Sequence, residues 1–93
     1  MPWFASQDEA RTSVEGVARE ILSGERDAYD GGVDIWHTAM LLHDAPEWPA
    51  LLPFAELTDA LEEPGLPPDV VERGKAALRD AARQLLEFRR DGR

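Results

Sequence analysis

The sequence contains no cysteine. That excludes a disulfide framework, a thiolate zinc site, an iron–sulfur cluster and a cysteine nucleophile; stability has to come from packing, and the cytoplasm is the expected compartment. Long apolar runs are missing too. The longest is Ala39-Met40-Leu41-Leu42, against about 20 residues for a helix that crosses a bilayer. The N-terminus lacks the basic-then-apolar order of a signal peptide, so no membrane association is expected. No stretch alternates with period two as a half-buried strand would, and there is no internal repeat or low-complexity tract. Permanent positive charge is absent from residues 27–72, which hold eleven acids and no Lys or Arg. A surface of that kind repels a phosphate backbone, so nucleic acid is not an expected partner.

What remains is 93 residues, about half of them apolar or glycine, the length of one domain and too apolar for a disordered chain. A single helical domain over residues 1–93 is expected. The net charge of −9 is distributed unevenly: residues 1–26 sum to −2, residues 27–72 to −11 and residues 73–93 to +4. Two arrangements follow from this division. The basic C-terminal segment lies across the acidic middle and neutralises it within the fold, or the acidic middle forms a continuous surface for a basic partner.

Helical periodicity dominates. Ser6 and Glu9 have the capping-box spacing, after Trp3 and Phe4. Ala10, Val14, Val17, Ile21 and Leu22 then recur at helical intervals until Gly24 supplies a left-handed stop, which predicts a helix over 7–22. Asp27 is the next N-cap, opening a helix over 28–44 that ends before Pro46. Tyr29, Val33, Trp36, Met40 and His43 are expected on its apolar face, and the Gly31-Gly32 pair suggests a frayed start or a close approach by another part of the chain. Six prolines between Ala45 and Pro68 make a Pro-rich connection, with Trp48, Leu51 and Leu52 anchoring a turn. One short helix is expected over 53–62, with Pro53 at its first position. The strongest signal is the last: Val71, Gly74, Leu78, Ala81, Leu85 and Phe88 alternate steps of three and four, predicting a helix over 69–90 that packs on the first or second through its small residues. Its early acids, Asp69 and Glu72, and its late arginines, Arg89 and Arg90, suit the helix dipole. The expected architecture is an all-α bundle of about four helices.

Chemistry-bearing constellations are few. His43-Asp44 at the end of an apolar helix is locally similar to the way HD-type metal phosphohydrolases present two ligands. That pattern needs further ligands on other helices, and no His precedes His37. On a continuous helix His37 and His43 point about 120° apart. Asp34 and His37 have the carboxylate-x-x-His spacing of di-iron bundles, with Asp30 one turn earlier, but no second such pair exists. His43 is otherwise expected as a buried or half-buried side chain bonded to a nearby carbonyl or carboxylate. All serines fall within the first 23 residues and none sits in a Gly-x-Ser-x-Gly turn; no Gly-rich phosphate loop appears. No cofactor is expected.

Read whole, Ala18-x-x-Ile21-Leu22-x-Gly24-Glu25, then Tyr29-x-Gly31-x-x-x-Ile35-Trp36, then Leu52-x-Phe54-x-x-Leu57 resembles a group of small bacterial proteins known as a domain of unknown function, over roughly residues 18–86. The resemblance implies a helical fold and no catalytic residues. The residues themselves favour a non-enzymatic protein-binding module, immunity- or antitoxin-like or regulatory, meeting a basic partner through Asp30, Asp34, Glu47, Trp48, Glu62 and Glu63. One alternative is a structural homodimer through helix 69–90, with Arg79, Arg83 and Arg90 reaching the acidic middle of the other copy. The other is a divalent-metal HD-like phosphohydrolase around His43 and Asp44, with Asp34 and His37 as further candidate ligands.

Overall fold

A computed structural model describes residues 7–91, with side chains as far as Phe88. Ser6 of the expected capping box, Trp3, Phe4 and the side chains of Arg89 and Arg90 lie outside the described residues. Four helices follow in order: α1 (Gln7–Ser23), α2 (Ala28–Ala39), α3 (Trp48–Leu61) and α4 (Pro68–Asp91), with a short 3-10 turn, Met40–Leu42, after α2. The described residues contain no strand, and no helix among them is long and apolar enough to cross a membrane. The chain is thus a small all-α bundle, as its periodicity indicates.

The first junction forms as its residues dictate. Gly24 takes φ +86°, a left-handed conformation that closes α1 at little cost only for glycine. Asp27 caps α2, accepting from the backbone N–H groups of Tyr29 and Asp30 at 3.0 and 3.3 Å. Arg26 then ties the two helices together, reaching Glu20 at 2.7 Å and Asp34 at 2.6 Å.

The second junction differs from the sequence expectation. α2 ends at Ala39, not near residue 44, because the backbone tightens into a 3-10 turn and then loops before Pro46, whose ring disfavours helical geometry in the residue ahead of it. α3 begins at Trp48, five residues earlier than expected. Pro49 occupies the first turn, where a missing N–H costs nothing, and Pro53 lies inside the helix. An interior proline costs about 3 kcal/mol. Complete burial of Leu51 and Phe54, each contributing about 1.5–3 kcal/mol, offsets it. Trp48, Leu51 and Leu52 are accordingly helical residues and do not anchor a turn.

The core runs through all four helices: Val14 and Ile21 from α1, Ile35 from α2, Leu51 and Phe54 from α3, Leu78 and Leu85 from α4, joined by Leu42 of the 3-10 turn. α2 buries Ala28, Gly31, Gly32, Ile35 and Ala39, a face rotated from the one expected. Met40 and His43 are exposed and Tyr29, Val33 and Trp36 are half-buried along its edge. Small residues let the helices close together. A Cβ on Gly31 would lie 2.6 Å from Ile21 Cγ1, and one on Gly32 would lie 2.9 Å from Thr58 Cγ2 and 3.0 Å from Leu78. The glycine pair therefore marks close approach, not fraying. α4 packs against α3 and α1 and more lightly against α2. Gly74 meets Leu61 of α3, so the partner of α4's small residues includes the helix left out of the expectation. Leu78, Ala81 and Leu85 are buried within the single chain, while Phe88 is partly exposed.

Candidate functional site

A surface hollow lies between α2 and α3. These helices run antiparallel, because the intervening turn is short; Trp36 of α2 meets Trp48 at the start of α3, and Tyr29 meets Glu62 just past its end. The hollow between them has a volume of about 450 Å³ and is lined by Trp36, Ala55, Glu56, Thr58, Asp59 and Glu62. Its geometry follows from the residues. Without a side chain at Gly32, α2 settles against Thr58, and one turn later Trp36 extends along α3 as a wall. Its ring lies 5.5 Å from that of Trp48, tilted by 35°, a spacing at which aromatic pairs attract.

The polar lining consists almost entirely of acceptors. The Thr58 hydroxyl is buried and donates to the Phe54 carbonyl at 2.6 Å, which leaves the carboxylates to define the hollow's chemistry. Tyr29 donates to Glu62 Oε2 at 3.4 Å. Partial desolvation, reinforced by the Glu62 charge, raises the Tyr29 pKa, so the phenol remains a donor at neutral pH. Among the described residues Glu56, Asp59 and Glu63 take part in no ion pair, and all three are exposed. The site thus offers negative charge beside an indole, two groups that both attract a cation.

The expected docking residues are not all brought together. Glu62 and Glu63 are exposed at the end of α3, where the sequence placed them. Asp30 is exposed on α2, while Asp34 is engaged by Arg26. Trp48 is half-buried against Trp36. Glu47 is a correction: it is 1% exposed and paired with Arg11 Nε at 2.5 Å, so it holds the α2–α3 connection to α1 and is not surface. The acidic exterior is therefore narrower than the run from Asp27 to Glu72. Arg11 and Arg26 of the N-terminal block neutralise Glu47 and Asp34. The α4 helix supplies Lys75 to Asp27 at 2.8 Å, whereas Arg73 and Arg83 pair with Asp69 and Asp80 on α4 itself. Among the described residues the basic helix, although packed on α3, makes no ion pair with its carboxylates.

The metal candidates do not converge. His43 lies in the turn after α2 and not on a helix, exposed, with Nδ1 3.3 Å from the Met40 carbonyl and Nε2 3.2 Å from Asp44 Oδ1; the expected burial of this side chain is corrected. His37 is exposed and Asp34 is held by Arg26. Among the described residues no group of three or more His, Cys, Asp or Glu is placed to hold a metal ion. Glu56 and Asp59 are the lining residues that sequence reasoning passed over. Their signal was the series Glu56, Asp59, Glu62 and Glu63 at helical steps of three and four, masked by the larger block of acids around it. No family model, curated protein or solved structure matches the chain.

Proposed function

We propose that this chain is a non-enzymatic protein-binding module of the cytoplasm, immunity- or antitoxin-like or regulatory, that receives a basic partner in the hollow between α2 and α3. The observation that carries the reading is the half-buried Trp36 beside Glu56 and Asp59, two carboxylates that no described cation neutralises. Aromatic residues at the centre of an interface supply contact area with little loss of conformational entropy. Unpaired acids around them steer a positively charged protein and fix its orientation. The net charge of −9 adds a long-range attraction of the same sign.

The test places a photo-crosslinking residue at Glu56 and, separately, at Thr12 on α1, in a lysate of the source cells. The expected result is a discrete adduct from position 56 alone. It is lost in D59K/E62K and in about 1 M salt, where the screening length falls to about 3 Å. The same adducts from both positions, or an adduct indifferent to charge reversal, overturns the proposal.

A further inference from the structure

The hollow between α2 and α3 holds two carboxylates that no described group answers. Glu62 already accepts from Tyr29 at 3.4 Å, but Glu56 and Asp59 are exposed and make no ion pair or side-chain hydrogen bond among the described residues. An ionised carboxylate offers about four acceptor sites. α2 and α3 contain no Lys or Arg of their own, and the cations that reach α2 from neighbouring elements are engaged by other acids, Arg26 by Glu20 and Asp34 and Lys75 by Asp27. The rest of the lining is largely apolar: Trp36 from α2, Ala55 from α3, and Thr58, whose hydroxyl is taken up by the Phe54 carbonyl. We infer, on the basis of the binding role proposed above, that the hollow receives one arginine side chain of the partner protein, the edges of its guanidinium bonded to Glu56 and Asp59 and its flat face against Trp36.

The chemistry of the lining selects arginine over lysine. Glu56 and Asp59 are three residues apart on α3, a spacing that leaves about 5–6 Å between Cβ atoms, close enough for one planar cation to bond both. The guanidinium carries five N–H donors in a rigid fork and so serves two carboxylates at once. Its faces carry no donors and are weakly hydrated, and they lie against an aromatic wall without losing a hydrogen bond. An ammonium is compact and strongly hydrated. Seated here it gives up water on the Trp36 side and receives no hydrogen bond in return. Packing of Trp36 against Trp48, with ring centroids 5.5 Å apart, restrains the wall before the cation arrives and so reduces the entropy lost on docking. An apolar side chain in the same place would leave the carboxylates desolvated without partners.

The test follows the indole N–H resonance of Trp36 in the full chain, assigned by its disappearance in W36F, as blocked Gly-X-Gly tripeptides are added with Arg, Lys or citrulline at the centre. Citrulline has nearly the shape of arginine and no charge. The expected result is a saturable shift of the Trp36 indole and of the Glu56 and Asp59 amides, with the Arg peptide binding about fivefold or more tightly than the Lys peptide and citrulline leaving the spectrum unchanged. E56Q/D59N keeps both shapes and removes both charges, and is expected to abolish the Arg shift. W36L, read from the Glu56 and Asp59 amides, is expected to bring Arg down to the affinity of Lys; unchanged circular dichroism shows that the variants fold, and E56Q/D59N, at two exposed positions, decides alone if W36L does not. Equal affinities for Arg and Lys overturn the inference and leave the acidic docking role standing. Citrulline binding as tightly as Arg overturns both. Shifts of the same size at the amides of Glu25 and Glu87, exposed acids that do not line the hollow, reduce the effect to a general attraction of cations and overturn the inference. No shift with any tripeptide at high millimolar concentration overturns it as well, and the crosslink from position 56 then decides the docking role by itself.

Discussion

At the scale of single residues, glycines at 31 and 32 and the carboxylate of Glu47 carry more of the fold than their size suggests. A methyl group on Gly31 would press on Ile21 at 2.6 Å, and G31A is expected to cost about 1–3 kcal/mol, the usual range for overpacking. Gly16 has nothing within 4 Å of where its Cβ would stand, so G16A in the same protein is expected to gain about 0.5–1 kcal/mol from helix propensity. Urea denaturation of both variants checks the pair, and equal effects would refute the packing argument. Glu47 lies beneath the surface with Arg11 beside it. Without Glu47, Arg11 keeps the exposed Asp8 as a partner but loses its buried one, so E47A is expected to lose about 1–3 kcal/mol in the same assay. Because Glu47 does not line the hollow, the folded variant is expected to bind a partner as the parent does.

At the scale of elements, the Asp27 carboxylate joins three helices: it caps α2, follows α1 and is bonded by Lys75 of α4. The Lys75 hydrogen bond, with the two capping N–H groups, holds the Asp27 pKa below its ordinary 3.8. A depressed carboxylate contributes stability that is present above the ordinary value and lost as pH falls through the folded one. D27N keeps the capping oxygen and loses the charge, so it is expected to be less stable than the parent at pH 7 by under about 1 kcal/mol, as for other partly exposed pairs. The gap closes as pH drops below 3.8. Thermal melts across that range check it, and a gap independent of pH would contradict it. The caps and stops at Gly24 and Asp27 were legible in the sequence because they depend on one or two local residues. The start of α3 was not. Six prolines read locally as breaks, whereas Leu51 and Phe54 bury enough surface to carry the helix through Pro53. The buried face of α2 was misjudged for a related reason: periodicity favours the large residues Tyr29, Trp36 and Met40, while close packing selected the small ones, Ala28, Gly31, Gly32 and Ala39.

At the scale of the whole molecule, the division of charge by sequence block becomes a division by surface. Arg11, Arg26 and Lys75 neutralise the acids nearest the core and the first helix junction, and α3 keeps its own. The candidate site was therefore half legible: Glu62, Glu63 and Trp48 lie on or beside it. Glu47 and Asp34 could be separated from them only by knowing which arginines lie opposite in the fold. Amide hydrogen exchange of the protein, alone and with the partner crosslinked at position 56, tests the hollow most directly. The expected result is slowed exchange confined to α2 and α3 around Trp36, Ala55 and Asp59, with α1 and α4 unchanged. Slowing centred on the outer faces of α1 and α4, with α3 untouched, would contradict it.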